Sequence, residues 1–212
     1  MGIFDLVFIL VFFFTVGSIG RILYLAAKKR GRDAARPAKI LAALLVLYFG
    51  VLIAISAVTP RKLIPMGEDR CYDDWCIGAE NLTVARTIGS GANAATAKGI
   101  FYIVTLKVSS RALRITQRAK DAAVVVIDEQ DRSYFPSAEG QRAYDAINGV
   151  GPAITNKLGP GDSFTTTVIF DIPLNAAQVG LEVQHGFWPG RLIIGESTSF
   201  FHKRTLIALS TR

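Results

Sequence analysis

The stretch AKILAALLVLYFGVLIAISAV at 38–58 constrains this chain more than any other. No charged residue stands between Lys39 and Arg61, and the run stops at Thr59-Pro60. At 1.5 Å of rise per residue, about 20 apolar residues cross the hydrocarbon core of a bilayer. The stretch is predicted to be a transmembrane helix. It divides the chain into an apolar, basic N-terminal part and a long region patterned as strands.

A second apolar run, IFDLVFILVFFFTVGSI at 3–19, continues to about residue 25. It has the length of a span if Arg21 snorkels to the interface. The rival reading is a secretory signal peptide. That would need a positive charge ahead of the apolar run, whereas the early charge here is Asp5 and the cations follow the run. Six of the twelve residues at 28–39 are basic and only Asp33 is acidic. Short Lys/Arg-rich loops stay in the cytoplasm, so the loop at 26–37 is expected inside. Both termini and everything after residue 62 are then expected outside an inner (cytoplasmic) membrane. The same loop could touch anionic lipid head groups. Neither span carries an ionisable residue away from its ends, so neither reads as an ion or proton path. Gly50 and Ala54 form a small-xxx-small pair that permits close helix packing.

The charge balance supports this division. Residues 1–65 hold nine Lys or Arg and two acids, an excess of seven that equals the net charge of the whole chain, and the remainder holds fifteen of each sign. The basic character is a topology signal. A nucleic-acid-binding domain would carry its own basic stripe, so no nucleic-acid partner is expected.

After a linker expected at 63–70 comes Cys71-Tyr-Asp-Asp-Trp-Cys76, which contains the only two cysteines. In an oxidising compartment the natural reading is a local disulfide, worth about 2–3 kcal/mol because its loop is short. Free thiols, a redox pair and a metal site are the alternatives. Strand patterns follow at 77–88, 100–108, 113–116, 122–127, 133–135, 163–172, 180–184, 192–194 and 205–209. Short β-branched and aromatic runs separated by Gly, Pro and Asp turns favour an antiparallel sandwich. A weak helix is predicted at 137–147, with Ser137 as cap and Gly149 as stop. The fold class expected is membrane-anchored all-β: a two-helix transmembrane hairpin over 1–62, then a sandwich over 71–212.

Five segments carry a family resemblance: SSRALRITQRA (109–119), the D-x-x-x-R-x-Y-x-P-S run (128–137), LGPGDS (158–163) leading to VIFDIP (168–173), and HGFWPGRLIIG (185–195) followed by Phe201-His202. Over about residues 70–210 the chain resembles a family of uncharacterised bacterial extracytoplasmic domains, similar to the telokin-like, immunoprotective-extracellular-protein group. The resemblance implies an immunoglobulin-like β-sandwich held at a membrane. It implies no catalytic residues.

Candidate sites follow from residue chemistry. Phe187 and Trp188 form an aromatic loop that could anchor a partner or tuck into the core. Asp73, Asp74 and Trp75 could make an acidic or saccharide contact or a plain solvated loop. His185 and His202 could join Glu182, Glu196 or Asp171 around a metal, although no HxH or HExxH spacing occurs. Asp128, Glu129 and Asp131 form an acidic hairpin tip that could hold Ca²⁺ or be a polar turn. Arg111, Arg114, Arg118 and Lys120 form a basic run, expected on a solvated strand face. No nucleotide loop or catalytic triad order occurs. The expectation is therefore a non-enzymatic protein without cofactor. Its partners are the lipid bilayer and another envelope protein or polymer. The alternatives are an accessory subunit docked through the hairpin and, further off, a metal-dependent hydrolase.

Overall fold

Helices α1 (Ile3–Ala27) and α2 (Gly31–Val58) come first in the computed structural model. It describes residues 2–72, 74–186, 190–196 and 199–209, apart from the side chain of Ala92. Lys28, Lys29 and Arg30 join the helices through a C-terminal Schellman turn. The Arg30 N–H bonds Leu25 O, the Lys29 N–H bonds Ala26 O, and Lys29 takes a left-handed φ of 58°, the arrangement that ties off the last carbonyls of a helix. The loop expected at 26–37 thus shrinks to three residues, and α2 begins seven residues before 38. Ala34, Ala35 and Ala38 favour helix, the Arg30–Asp33 ion pair at 2.7 Å steadies the first turn, and the helix continues through Pro37 although that ring removes one bond and crowds the carbonyl of Asp33. α1 has no buried residue, whereas α2 buries Ala34, Leu41, Tyr48, Leu52 and Ser56. Spacings of seven and four place these on one helix face.

The remaining elements are strands β1 (Leu63–Ile64), β2 (Asp69–Cys71), β3 (Trp75–Ile88), β4 (Ala95–Ser110), β5 (Ala123–Ile127), β6 (Ser133–Tyr134), β7 (Ser163–Ile172), β8 (Gly180–Gln184) and β9 (Leu206–Ala208), with helix α3 (Ala138–Asn148) between β6 and β7. Two sheets form, β2-β3-β4-β7 and β1-β9-β8-β5-β6. Every pairing is antiparallel except β1 with β9. Period-2 alternation makes the core. Val104, Leu106 and Val108 of β4 and Phe170 and Ile172 of β7 face Val124, Val126, Leu181, Val183 and Ile207 of the other sheet.

On the other face of this sheet, Phe101 and Ile103 of β4 and Ile169 of β7 are apolar where α3 covers them. Phe101 and Ile169 pack with Ala143 and Ile88. Gly140 lets α3 approach, since a Cβ there would lie 2.7 Å from Ile169 Cγ2 and 3.0 Å from Phe101 Cε1. α3 also satisfies the open edge of β7. Gln141 Nε2 donates to Thr167 O and its Oε1 accepts from the Ile169 N–H, both at 3.2 Å, and the Ser137 N–H bonds Ile169 O. The middle of this edge strand is thereby closed to further pairing. Ser137 caps α3 by accepting from the Gly140 N–H at 3.1 Å.

Three boundaries differ from the expectation. The linker at 63–70 contains β1 and β2, whose two and three residues are too short to show a period. Residues 113–116 are not a strand, and Leu113 is 90% exposed. Residues 192–194 are not part of a sheet. They belong to one of two compact units, Met1–Pro60 with Phe187–Arg204, and the other is Arg61–Gly186 with Thr205–Arg212. The sandwich therefore starts at Arg61 and excludes a long excursion between β8 and β9.

Candidate functional site

Five of the sequence candidates, Cys71, Asp74, Trp75, Cys76 and His185, come together at the start of β3. Cys71 and Cys76 are register partners of the β2–β3 hairpin and are joined as a disulfide. Between them the chain turns on itself, with the Tyr72 N–H bonded to Trp75 O at 2.8 Å. The Tyr72 and Trp75 rings stack at 4.6 Å. The His185 ring stands edge-on to both, 4.9 Å from Tyr72 and 5.0 Å from Trp75. Arg70 lies 5.0 Å over the Tyr72 ring, a cation–π contact, and donates to Thr205 O at 3.1 Å. Tyr72 Oη donates to Val183 O at 3.1 Å. This corner ties β2, β3, β8 and the start of β9 together.

Trp75 is a correction. It is 4% exposed and belongs to the main core, so its ring presents no surface to a partner. Asp74 is exposed. Its carbonyl accepts from the Arg111 N–H at 2.7 Å and from Gln117 Nε2, which pins the loop after β4 to the hairpin. Asp73, Phe187 and Trp188 lie outside the described residues. The corner contains Arg70 and Tyr72, which sequence reasoning passed over. The available signal was the Tyr-x-x-Trp spacing inside the disulfide loop, which puts both rings on one side of a tight turn.

Nδ1 of His185 is shielded from water and has no hydrogen-bond partner among the described residues. Among those residues, no group of three His, Cys, Asp or Glu side chains is placed to hold a metal ion. Glu182 accepts from Gln184 Nε2 at 3.1 Å. Asp171 accepts from the Lys98 and Gly99 N–H groups at 2.8 and 3.0 Å. His202 belongs to the helical unit, whereas His185 belongs to the sandwich.

The acidic hairpin tip is built as a polar turn. Asp128 is fully buried and its carboxylate is saturated. Oδ1 accepts from the N–H groups of Gln130 and Arg132, both at 2.9 Å, and Oδ2 accepts from Arg132 Nε at 2.6 Å and Tyr134 Oη at 2.8 Å. Asp131 pairs with Arg61, and Glu129 accepts from Gln130 Nε2 at 2.6 Å. No lone pair of Asp128 is left for Ca²⁺, and the polar-turn alternative describes the tip. Burial works against the charge on Asp128, but the Arg132 N–H, its guanidinium and the Tyr134 hydroxyl outweigh it and hold the carboxyl below its ordinary range. Burial and the same carboxylate push the Tyr134 phenol up.

The basic run occupies the loop between β4 and β5 instead of a strand face. At the opposite end of β4, Lys98, Tyr134, Phe135, Glu139, Asp171 and Leu174 line an open groove of about 720 Å³ beside the start of α3. Phe135 and Leu174 are exposed there.

No protein-family model and no curated protein matches the chain. Several solved structures are similar to it. One is a conserved hypothetical protein from Bacillus anthracis, with 16% identity and a TM-score of 0.45 over 57% of this chain and 88% of that one. Another is an uncharacterised beta-sandwich protein from Clostridium difficile, with 11% identity and a TM-score of 0.40 over 72% of this chain and 96% of that one. A third is the secreted protein MPT63 from Mycobacterium tuberculosis, with 11% identity and a TM-score of 0.40 over 61% and 93%. At these scores the likenesses carry no conclusion about what the chain does.

Proposed function

We propose that α1 and α2 cross a membrane as a hairpin with the Lys28–Arg30 turn in the cytoplasm. The sandwich is then presented on the extracytoplasmic side, as an immunoglobulin-like, telokin-like domain for binding or envelope assembly. The observation that carries this reading is the outward face of the helices. They are 25 and 28 residues long, about 37 and 42 Å at 1.5 Å per residue, enough for a core of about 30 Å. Their large apolar side chains point away from protein, with Ile3, Leu10, Phe13 and Leu23 of α1 and Val46 and Leu47 of α2 each more than 60% exposed. Such a surface is costly in water and natural in lipid. The disulfide supports an oxidising compartment.

The sandwich is read as non-catalytic. Its buried carboxylate is saturated and its one histidine is packed edge-on against two rings, so the groups that would do acid–base chemistry are occupied by structure. Topology is tested by reducing intact spheroplasts gently and labelling Cys71 and Cys76 with a membrane-impermeant maleimide. Labelling from outside is expected, and labelling only after lysis would sink the orientation.

A second reading has its own motivation. α1 contributes no buried residue, so a larger membrane complex could cover it, with this chain as an accessory subunit. Replacing residues 1–60 by an unrelated two-pass hairpin separates the two readings. Co-purifying partners retained by the chimera belong to the sandwich, and partners lost belong to the helices.

A further inference from the structure

We propose that the segment of residues 190–196 and 199–204 is a third membrane-contacting element, an interfacial wedge that leaves the sandwich, packs on the hairpin within the outer leaflet and meets lipid with Phe200 and Phe201. This inference rests on the membrane reading above and goes beyond it. β8 and β9 are antiparallel neighbours that a short turn could join. Instead the chain departs after Gly186, groups with the helices, and returns at Thr205.

The packing is specific. Ile194 is 5% exposed and is buried with Tyr48 and Leu52, with Phe8, Val11 and Ile55 around them. Tyr48 Oη donates to Leu192 O, and Ser56 Oγ lies 3.4 Å from Ser199 Oγ, both serines being buried. Tyr48 and Ser56 are the only polar side chains between Ile40 and Val58. A hydroxyl in hydrocarbon is costly without a partner, and each of these two has its partner in this segment. Leu52 and Tyr48 lie six and ten residues before the end of α2, about 9 and 15 Å along the axis. The contact thus reaches into the outer half of a core about 30 Å thick.

Irregular backbone at that depth must satisfy itself or be covered by protein. Parts of the segment do each. The Ile193, Ser199, Phe200 and His202 N–H groups bond Gly190, Glu196, Arg191 and Ser199 carbonyls at 3.0–3.1 Å, and Ile194 is covered by the helices. Its other side suits the lipid interface. Phe201 is 71% exposed, Arg191 lies 5.9 Å over the Phe200 ring, and His202, Lys203 and Arg204 follow. Phenylalanine beside cations is the composition of elements that lie in the bilayer–water boundary.

The test uses the full chain in phosphatidylethanolamine–phosphatidylglycerol vesicles. Nitroxides are placed singly at Phe201→Cys, Val46→Cys and Leu113→Cys in a Cys71→Ser/Cys76→Ser background, and relaxation by oxygen is compared with relaxation by a water-soluble nickel chelate. Oxygen is expected to dominate at positions 46 and 201 and the chelate at 113. If 46 lies in lipid while 201 behaves like 113, the wedge is wrong and the membrane reading stands. If 46 also lies in water, both fall. A measurement that keeps the native disulfide is Ser56→Cys/Ser199→Cys in the otherwise intact chain. The two added thiols are expected to vanish as a second disulfide on oxidation, and recovery of both as free, alkylated thiols would overturn the packing.

Discussion

The Asp128 hairpin and the His185 corner each withdraw a titratable group from water, and they do so in opposite ways. Asp128 is met by four donors from Gln130, Arg132 and Tyr134, all within six residues of it. His185 is held by ring faces from the other sheet, with Nδ1 left unpartnered among the described residues. The first site is polar and local, and its stability comes from hydrogen bonds and charge. The second is long-range and held by packing, so its nitrogen is expendable while its rings are not. A carboxylate at a turn can recruit its own loop, whereas an imidazole between strands takes what the fold brings to it.

That contrast makes four predictions, from the largest effect to the smallest. Trp75→Ala should cost about 3–5 kcal/mol, because it empties a buried aromatic site under the disulfide. Thermal unfolding of the full chain in detergent checks this, and a cost below 1 kcal/mol would mean that the corner is not core. Asp128→Ala should cost about 2–4 kcal/mol by stranding donors that have no substitute. Removing the Cys71–Cys76 bond with a double serine variant should cost about 2 kcal/mol, the entropy of a short loop. His185→Phe should change stability by less than about 1 kcal/mol, since it keeps a ring of similar shape and removes an unpaired nitrogen. A large loss there would show that Nδ1 has a partner that matters and would erase the difference between the sites.

The hairpin also carries a pH signature. The folded carboxyl of Asp128 titrates below its unfolded value of about 3.9. Its stabilisation is therefore complete above that value and is lost as pH falls through the folded one. The melting temperature of the native chain should drop more steeply below about pH 4 than that of Asp128→Asn. Parallel acid profiles would show that the carboxylate gains nothing from its donors.

Much of this architecture was legible in the sequence. The two apolar helices, β3, β4, β7 and α3 with its Ser137 cap all announce themselves by local period and composition. β1 and β2 do not, because two or three residues have no period and are strands only where a neighbour pairs with them. The site was less legible. Asp73-Asp74-Trp75 reads as a surface loop, yet adjacent residues of a turn entering a strand point in opposite directions, which leaves Asp74 exposed and buries Trp75. The acidic run at 128–131 reads as a polar turn with a cation loop as the alternative, and the burial of Asp128 is not legible because its saturation involves backbone N–H groups that carry no sequence signature.

The sequence by itself determined that two apolar helices come first and where the second one ends, which strands form the centre of the sandwich, and that the basic charge lies with the helices. Each of these depends on neighbours along the chain, through the rise of a helix or the alternation of a strand. Tertiary structure alone decided that Ile194 lies against Leu52 with Leu192 O taking the Tyr48 hydroxyl across 144 residues, that His185 joins Tyr72 and Trp75, and that Gly140 seats α3 on Phe101. Those contacts depend on which surfaces meet, and a side chain becomes core or surface only when its distant partner arrives.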